Sequence, residues 1–550
     1  MSNGRTQGTA TLAALVMFTL AACGGGGGDD PVGMVTPPPL GSATPPPALG
    51  GTPSGSNPNG YTAGVYQPSA SFKNQCASPR SGSSAVTGIA FPDTAGSVIA
   101  ENNFLRSWTN ELYLWYGEVP DLNPASYTTP DYFDLLKTDL RTESGAQKDR
   151  FHFSMPTAEW EAFIEEGTSA GYGAQFFILK SEPPRAIVVA LTEPNSPAAS
   201  AGLQRGDKIM FIDDVSVLYA DTQAQIDTLN AGLLPAAGES HTFSVISTGS
   251  SFPHSVTMTA ANITSTPVQN VKTIPTATGN VGYLLFNDHI ATSESQLIAA
   301  IASLKSQAVV DLVLDLRYNG GGLLDIASEM AYMIAGDSRT SGQTFDRVAF
   351  NDKHPTTDPV TRQALAPTPF YKTAQGYSTA DGTPLPTLDL PKVYVLTTGS
   401  TCSASEAIIN GLRGVDVQVI QIGDTTCGKP YGFYPEANCG TTYFSVQFQG
   451  VNAKDFGDYP DGFSPQNTTL DAGEKIEGCS VADDFTHELG NTGELMLAAA
   501  LDYRFSGSCP APAGLGNSSA FSKPNAVATV AKGRLLRPEW RENRMMRTVQ

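Results

Sequence analysis

Histidine is scarce in this chain: there are six in 550 residues, scattered along it, and none falls in 392–434, the stretch with the strongest chemical signal. A serine nucleophile there has no histidine base close in sequence. No CxxC pair occurs either, so zinc or iron–sulfur ligation has no ligand set, and no metal is expected. Positive charge is in short supply, with 33 Lys and Arg against 53 Asp and Glu and a net charge of −20. Nucleic acid is therefore excluded as a partner, because holding phosphates takes clustered cations. The apolar run near the N-terminus, about residues 12–20, falls well below the ~20 residues needed to cross a bilayer. The glycines at 320–322 lack GxGxxG spacing, so no dinucleotide, and no other cofactor, is expected.

Proline and glycine are present in excess, at 39 and 54, and much of that excess lies near the N-terminus. Residues 23–75 are rich in Gly, Pro, Ser and Asn, with too few large apolar groups to fold, and read as a tether. Ahead of them, Arg5, the short apolar core and Leu20-Ala21-Ala22-Cys23 resemble a bacterial lipoprotein signal. That resemblance implies removal of residues 1–22 and lipidation of Cys23. The mature protein is then expected in the cell envelope, on the periplasmic side of the membrane that anchors it, the outer membrane.

The six remaining cysteines, Cys76, Cys402, Cys427, Cys439, Cys479 and Cys509, read as disulfides in an exported chain, with fifteen pairings open. Cys427 and Cys439 flank a predicted turn, and their pairing would pin the loop that carries Lys429. Cys402 could itself be a nucleophile, but it too lacks a nearby histidine.

Residues 76–167 show apolar positions at helical spacing, including Phe104, Leu105, Trp108 and Leu112, and read as a small helical domain. Their aromatic stripe is assigned to core and given no chemistry. Residues 168–263 are β-rich. Residues 277–505 alternate strands and helices, which implies an α/β core with a largely parallel sheet. Within that core, 338–390 is polar and reads as an excursion bordering the substrate channel, and 442–448 reads as one strand. Residues 506–550 form a tail whose end carries Lys532, Arg534, Arg537, Arg541, Arg544 and Arg547 against Glu539 and Glu542. Its basic excess suits an anionic membrane surface or trimming by the protein itself.

The chemistry gathers where strands end. The run 393–396 leads through Thr397, Thr398 and Gly399 into a helix, with Ser403 at its start, where free N–H groups favour developing negative charge. The run 417–422 then leads into a loop that delivers Lys429. For Lys429 to serve as base, burial must lower its pKa from ~10.4 by roughly three units, a cost of about 4 kcal/mol.

Three motifs carry a resemblance. Ser403-Ala404-Ser405-Glu406 with Cys427-Gly428-Lys429, and Asp315-Leu316-Arg317-Tyr318-Asn319-Gly320-Gly321-Gly322, are similar to the carboxyl-terminal processing (tail-specific) serine peptidases. Ser196-Pro197-Ala198-Ala199-Ser200-Ala201-Gly202-Leu203-Gln204-Arg205-Gly206-Asp207-Lys208-Ile209, with Gly171-Tyr172-Gly173-Ala174 before it, looks like a PDZ domain.

The resemblance implies a crotonase/ClpP-like α/β core with an inserted PDZ-like domain. In it Ser403 is the nucleophile, Lys429 the general base, and Gly321 and Ala404 the oxyanion-hole donors. Tyr172, Gly173 and Ala174 would bind the carboxylate of a polypeptide C-terminus, with a sheet edge taking the peptide as an added strand. The chain departs from the family pattern at Gly414 and Phe433, where many members carry an aspartate and a glutamine that orients the lysine. Gln447 and Glu406 are the candidates for that orienting role here. Two rival readings are a catalytically silent PDZ-type peptide-binding protein of the cell envelope and an acyl hydrolase confined to esters.

Overall fold

A computed structural model of the chain describes residues 61–469 and 473–510, and the backbone of 544–545. The expected signal peptide, Cys23 and most of the tether and tail lie outside the described residues. Residues 61–75, read as part of the tether from composition, are folded against α1. The reason is aromatic: the Arg106 guanidinium lies 4.8 and 4.2 Å from the ring centres of Tyr61 and Tyr66 and pairs with Asp121 at 2.6 Å. Arg106 belongs to helix α1 (Val98–Leu112), which starts where Ser97 Oγ accepts from the Ala100 N–H. Phe104, Leu105 and Trp108 of α1 form a small core with Tyr132, Phe133, Leu136 and Tyr443.

A six-stranded sheet follows, with main strands β1 (Ala174–Lys180), β2 (Ala186–Thr192), β3 (Lys208–Ile212), β4 (Ser240–Ile246) and β5 (His254–Thr259) and a short strand, Val215–Ser216, paired with β3. The main strands are antiparallel in the order β5-β4-β3-β2-β1, so β1 is an edge. Helix α2 (Gln223–Leu233), capped by Thr222 and Gln225, lays Ile226 and Leu229 on this sheet's own core of Ile187, Val189, Ile209, Ile212, Phe243 and Val245. Entry and exit strands, Thr168–Gly171 and Ala261–Thr264, pair with each other. The unit is thus closed where it joins the rest of the chain.

The main sheet contains β6 (Val268–Thr276), β7 (Gly279–Phe286) and β8 (Val309–Asp315), with α3 (Ser293–Ser306) crossing between β7 and β8. The two-residue β9 (Gly322–Leu323) leads directly into α4 (Leu324–Ala335). Next come β10 (Lys392–Thr397), α5 (Ala404–Gly414), β11 (Gln418–Gly423), the short β12 (Tyr431–Gly432), β13 (Gly478–Ser480) and α6 (Leu495–Ser506). The order is β6-β7-β8-β10-β11-β13, parallel throughout except for β6. Leu312, Leu314, Val393, Val395 and Val419 meet α3, α4 and α5 on one face. Val313, Tyr394, Leu396, Ile420 and Ile422 meet α6 and Leu191 of β2 on the other. Burial on both faces is why these strands read as continuous apolar runs.

Two expectations change. The excursion 338–390 contains a helix, Asp337–Thr340, and a strand, Thr344–Phe350, that pairs with Phe448–Val451. The excursion is pinned by a buried carboxyl pair: the Gln375 N–H donates to Glu294 Oε1 (2.8 Å) and Glu329 Oε1 (2.9 Å), and the Ser378 and Thr379 N–H groups donate to Glu294 Oε2. Burial, reinforced by the neighbouring Glu294, pushes the Glu329 carboxyl up to about 9. The single strand expected over 442–448 is instead two, Thr441–Phe444 and Phe448–Val451, with 445–447 between them held by the Leu114 N–H on Val446 O and the Gln447 N–H on Gly432 O.

A buried ionic network joins the inserted unit to the main sheet. Arg317, fully buried, reaches Asp315, Glu494 (two bonds of 3.0 Å) and Asp483 (2.7 Å). Arg205, at the turn before β3, pairs with the same Asp483 at 2.6 Å and donates to the Tyr318 hydroxyl at 2.6 Å. Burial alone would raise the Asp483 carboxyl, but Arg317 and Arg205 outweigh it and hold it below the usual range. Removing Arg317 leaves carboxylates buried without their cation, so Arg317→Met is expected to cost about 3–5 kcal/mol. Urea unfolding under oxidising conditions reads that loss, and an unchanged midpoint would show that the network contributes nothing.

Candidate active site

Strands β8, β10 and β11 are adjacent and parallel, so their C-terminal ends open at one edge of the sheet, the usual place for a site in such folds. Three loops leave there and are stitched together. The Thr401 hydroxyl donates to Leu316 O (2.8 Å), the Cys402 N–H to Asn319 O (3.0 Å), and the Cys427 N–H to Thr401 O (3.0 Å). Ser403 is the N-cap of α5 and has φ 62°, ψ −114°, a left-handed backbone that L residues rarely adopt and that costs on the order of 1–3 kcal/mol. Ser403 is fully buried, and its Oγ has no hydrogen-bond partner.

Glu406, one turn into α5, ties the serine to the lysine loop. Its Oε2 accepts from the backbone N–H of Ser403 (2.9 Å) and of Lys429 (2.8 Å), and its Oε1 from the Gly428 N–H (2.8 Å) and the Thr426 hydroxyl. Burial pushes its carboxyl up, against the pull of these donors. A disulfide adds a covalent tie: Cys402, beside Ser403, is bonded to Cys427, with Cα atoms 5.1 Å apart. This replaces the expected Cys427–Cys439 pair. Cys439 is joined to Cys76, and Cys479 to Cys509. Cys402 is consequently no free thiol. The two sulfur–carboxylate clusters among the described residues, Cys76/Glu101/Cys439 and Cys402/Glu406/Cys427, have both sulfurs in disulfides, which removes the thiolates a metal would need.

Lys429 is fully buried, with its Nζ 4.5 Å from the ring centre of Phe433 and 4.8 Å from that of Phe151. Loss of hydration disfavours the charged amine, whereas aromatic faces favour it. Of the two candidate orienting residues, Glu406 meets Lys429 at its backbone N–H, and Gln447 spends both amide atoms on the backbone of Tyr434. Phe151 and its neighbour Arg150 were not assigned chemistry from sequence. Arg150 donates to the carbonyls of Cys427, Gly428 and Pro460, holding the loop that delivers Lys429. Asp416, the acid nearest Gly414, pairs with Lys454 at the surface and lies away from the site.

The expected oxyanion donors are placed differently from each other. The Ala404 N–H lies in the first turn of α5. The Gly321 N–H donates within its own loop, to Asn319 Oδ1 at 2.9 Å. Asn319 is the hub of that loop: its Oδ1 also accepts from His289 Nδ1 (3.0 Å), and its Nδ2 donates to Phe286 O (3.0 Å). His289 is buried and its Nε2 has no partner. Gly322, at φ +134°, has room only for a hydrogen, since a Cβ there would lie 2.2 Å from His289 O.

With this geometry described, similarity to known proteins can be placed on it. Residues 280–432 match the model of peptidase family S41; the match takes in Gly321, Ser403, Ala404 and Lys429. Carboxyl-terminal-processing proteases of Picosynechococcus sp. and Synechocystis sp. are 30% and 27% identical over 250 and 264 residues. Those alignments cover 44% and 48% of this chain and 50% and 53% of the relatives. The chain spans about half the length of these curated relatives. A crystal structure of an S41-type protein from Bacteroides fragilis shares the fold, with a TM-score of 0.52, 24% identity, and coverage of 74% of this chain and 97% of that one.

Outside the S41 segment, Tyr172, Gly173 and Ala174 lie at the start of edge strand β1. Gly173 has φ +73°, and a Cβ there would stand 2.3 Å from that of Ser196, so only glycine fits. Tyr172 is buried edge-on against Phe243. Further along β1, Phe177 packs on Tyr318 and Phe485, with ring centres 5.9 and 5.6 Å apart.

Two outcomes follow for the S41 loops. The Cys402–Cys427 bridge closes a sequence separation of 25 residues, so the double Cys→Ser variant should lose about 3–4 kcal/mol in denaturant unfolding; a loss below 1 kcal/mol would show that the loops are held without it. Burial pushes the His289 imidazole down to about 3 from its ordinary 6.5. The unfolded chain therefore takes up this proton first, and stability falls as pH drops through the window from 6.5 towards 3. In urea melts against pH, the wild type should lose ~1.4 kcal/mol per unit more than His289→Gln in this window. Parallel slopes would exclude a neutral buried His289.

Proposed function

We propose that this chain is an exported, lipid-anchored serine endopeptidase that captures polypeptide C-termini on the β1 edge and cuts peptide bonds with a Ser403/Lys429 dyad. The observation that carries the reading is a buried, strained serine at the N-cap position of α5 and a buried lysine on the adjoining loop, their backbones tied through one carboxylate and their neighbours through one disulfide. In the proposed reaction Ser403 Oγ attacks the carbonyl carbon while its proton passes to Lys429 Nζ. The tetrahedral oxyanion accepts from the Ala404 N–H and from Gly321 once that amide leaves Asn319. Lys429 then protonates the leaving amine, and water repeats the sequence on the acyl-enzyme. The place of β1 at the end of the described strand order and the glycine-bounded turn at Gly173 support peptide capture by strand addition.

A second reading, a silent peptide-binding protein, draws on the Gly321 N–H being spent on Asn319. Cleavage of an unfolded polypeptide by the mature chain separates the two. Ser403→Ala and Lys429→Ala should each lower the rate by at least about a thousandfold, with circular dichroism unchanged. Amidating the substrate C-terminus should raise KM. Cleavage that survives both substitutions would sink the dyad, and no cleavage by any chain would favour the binding protein.

A further inference from the structure

The tail returns to the site. Its residues Arg544–Met545 form a strand, β14, that pairs in parallel with β9, Gly322 against Arg544 and Leu323 against Met545. The opposite side of β9 is already taken, since Gly322 bridges to His289 and the Leu323 N–H donates to His289 O at 2.7 Å. The edge that β14 occupies is thus the remaining edge of the strand that follows Gly321. The same two residues come within 8 Å of β12, the strand that begins two residues after Lys429. One extended segment therefore bridges the loop expected to bind the oxyanion and the loop that carries the base. Ser403 and Lys429 are both 0% exposed in this arrangement, and the Gly321 N–H is turned into its own loop.

We infer that the β9 edge is the docking strand for extended peptide at the site, and that the chain's own C-terminal segment is its built-in competitor. The inference rests on the peptidase reading above for its consequence, though not for the contact itself. A short strand pairs weakly alone, but when covalently attached it is present at an effective concentration of about millimolar. The basic character of 532–550 also suits a body whose chain carries a net charge of −20. A substrate must displace Arg544–Met545 before its backbone can lie beside Gly321.

The test uses the full mature chain and its Arg544→Pro/Met545→Pro variant, which removes two backbone N–H donors from the tail and touches no site residue. Hydrogen exchange at Gly322–Leu323 should speed up at least tenfold in the variant and slow again when a synthetic peptide of residues 538–550 is added. Cleavage of an unfolded polypeptide should rise severalfold and be suppressed by the same peptide. Equal exchange in the two chains overturns the inference, and so does faster exchange with unchanged cleavage by active chains. Faster exchange with no cleavage by either chain overturns the peptidase reading and leaves the docking strand standing.

Discussion

The Glu406 carboxylate is the contact on which the site depends. Four donors from two loops converge on it: the N–H groups of Ser403, Gly428 and Lys429 and the hydroxyl of Thr426. Hydrogen bonds to a charged acceptor contribute roughly 1.5–3 kcal/mol each, and a buried donor left without an acceptor costs about as much. Removing the carboxylate would therefore release the serine turn and the lysine loop together. The disulfide between Cys402 and Cys427 spans the same two loops one residue further out. The carboxylate sets the direction of the backbone, and the disulfide limits how far the two loops can part.

A second constraint sets where this assembly sits relative to the inserted β-rich unit. Asp483 receives both Arg205 from that unit and Arg317 from the loop after β8, while Tyr318 lies between Arg205 and the ring of Phe177. Asn319, the next residue, holds the Gly321 amide. Phe177 of β1 thus packs, through Tyr318, one residue from Asn319. Because the charges are largely desolvated, separating them is costly, and any movement of the inserted unit must keep their pairing or replace it.

Sequence reading went furthest where burial is two-sided or where a turn has only one chemistry. The apolar runs of β8, β10 and β11 stand out because both faces are covered, and Thr397-Thr398-Gly399 marks the break that leaves Ser403 at the head of α5. It failed where partners are far apart in the chain. The Cys76–Cys439 bond spans 363 residues, so proximity favoured the nearer Cys427. Arg150 and Phe151 reach the lysine loop across more than half the chain, and an aromatic run read as core gave no sign that one of its rings faces a cation. The strand Thr344–Phe350 was hidden by its buried Asp346, which breaks the apolar alternation. The tail read correctly as basic, but a two-residue strand in register with Gly322–Leu323 has no signature in composition.

The same distance argument bears on Phe433, which looked like a defect because it stands where many relatives have an orienting glutamine. Its ring lies 4.5 Å from Lys429 Nζ, and Phe151 faces that nitrogen at 4.8 Å. Ring faces hold an ammonium with roughly 1–2 kcal/mol each when water is excluded. They do so without taking a proton, unlike a carboxylate, and without fixing a single donor direction, unlike an amide oxygen. Against them stands desolvation, which penalises the charged amine by several kcal/mol. The two effects act on the charged amine in opposite directions. In the dyad proposed above, the two ring faces would stabilise the cation formed when Lys429 takes the Ser403 proton, where a glutamine would orient the neutral base.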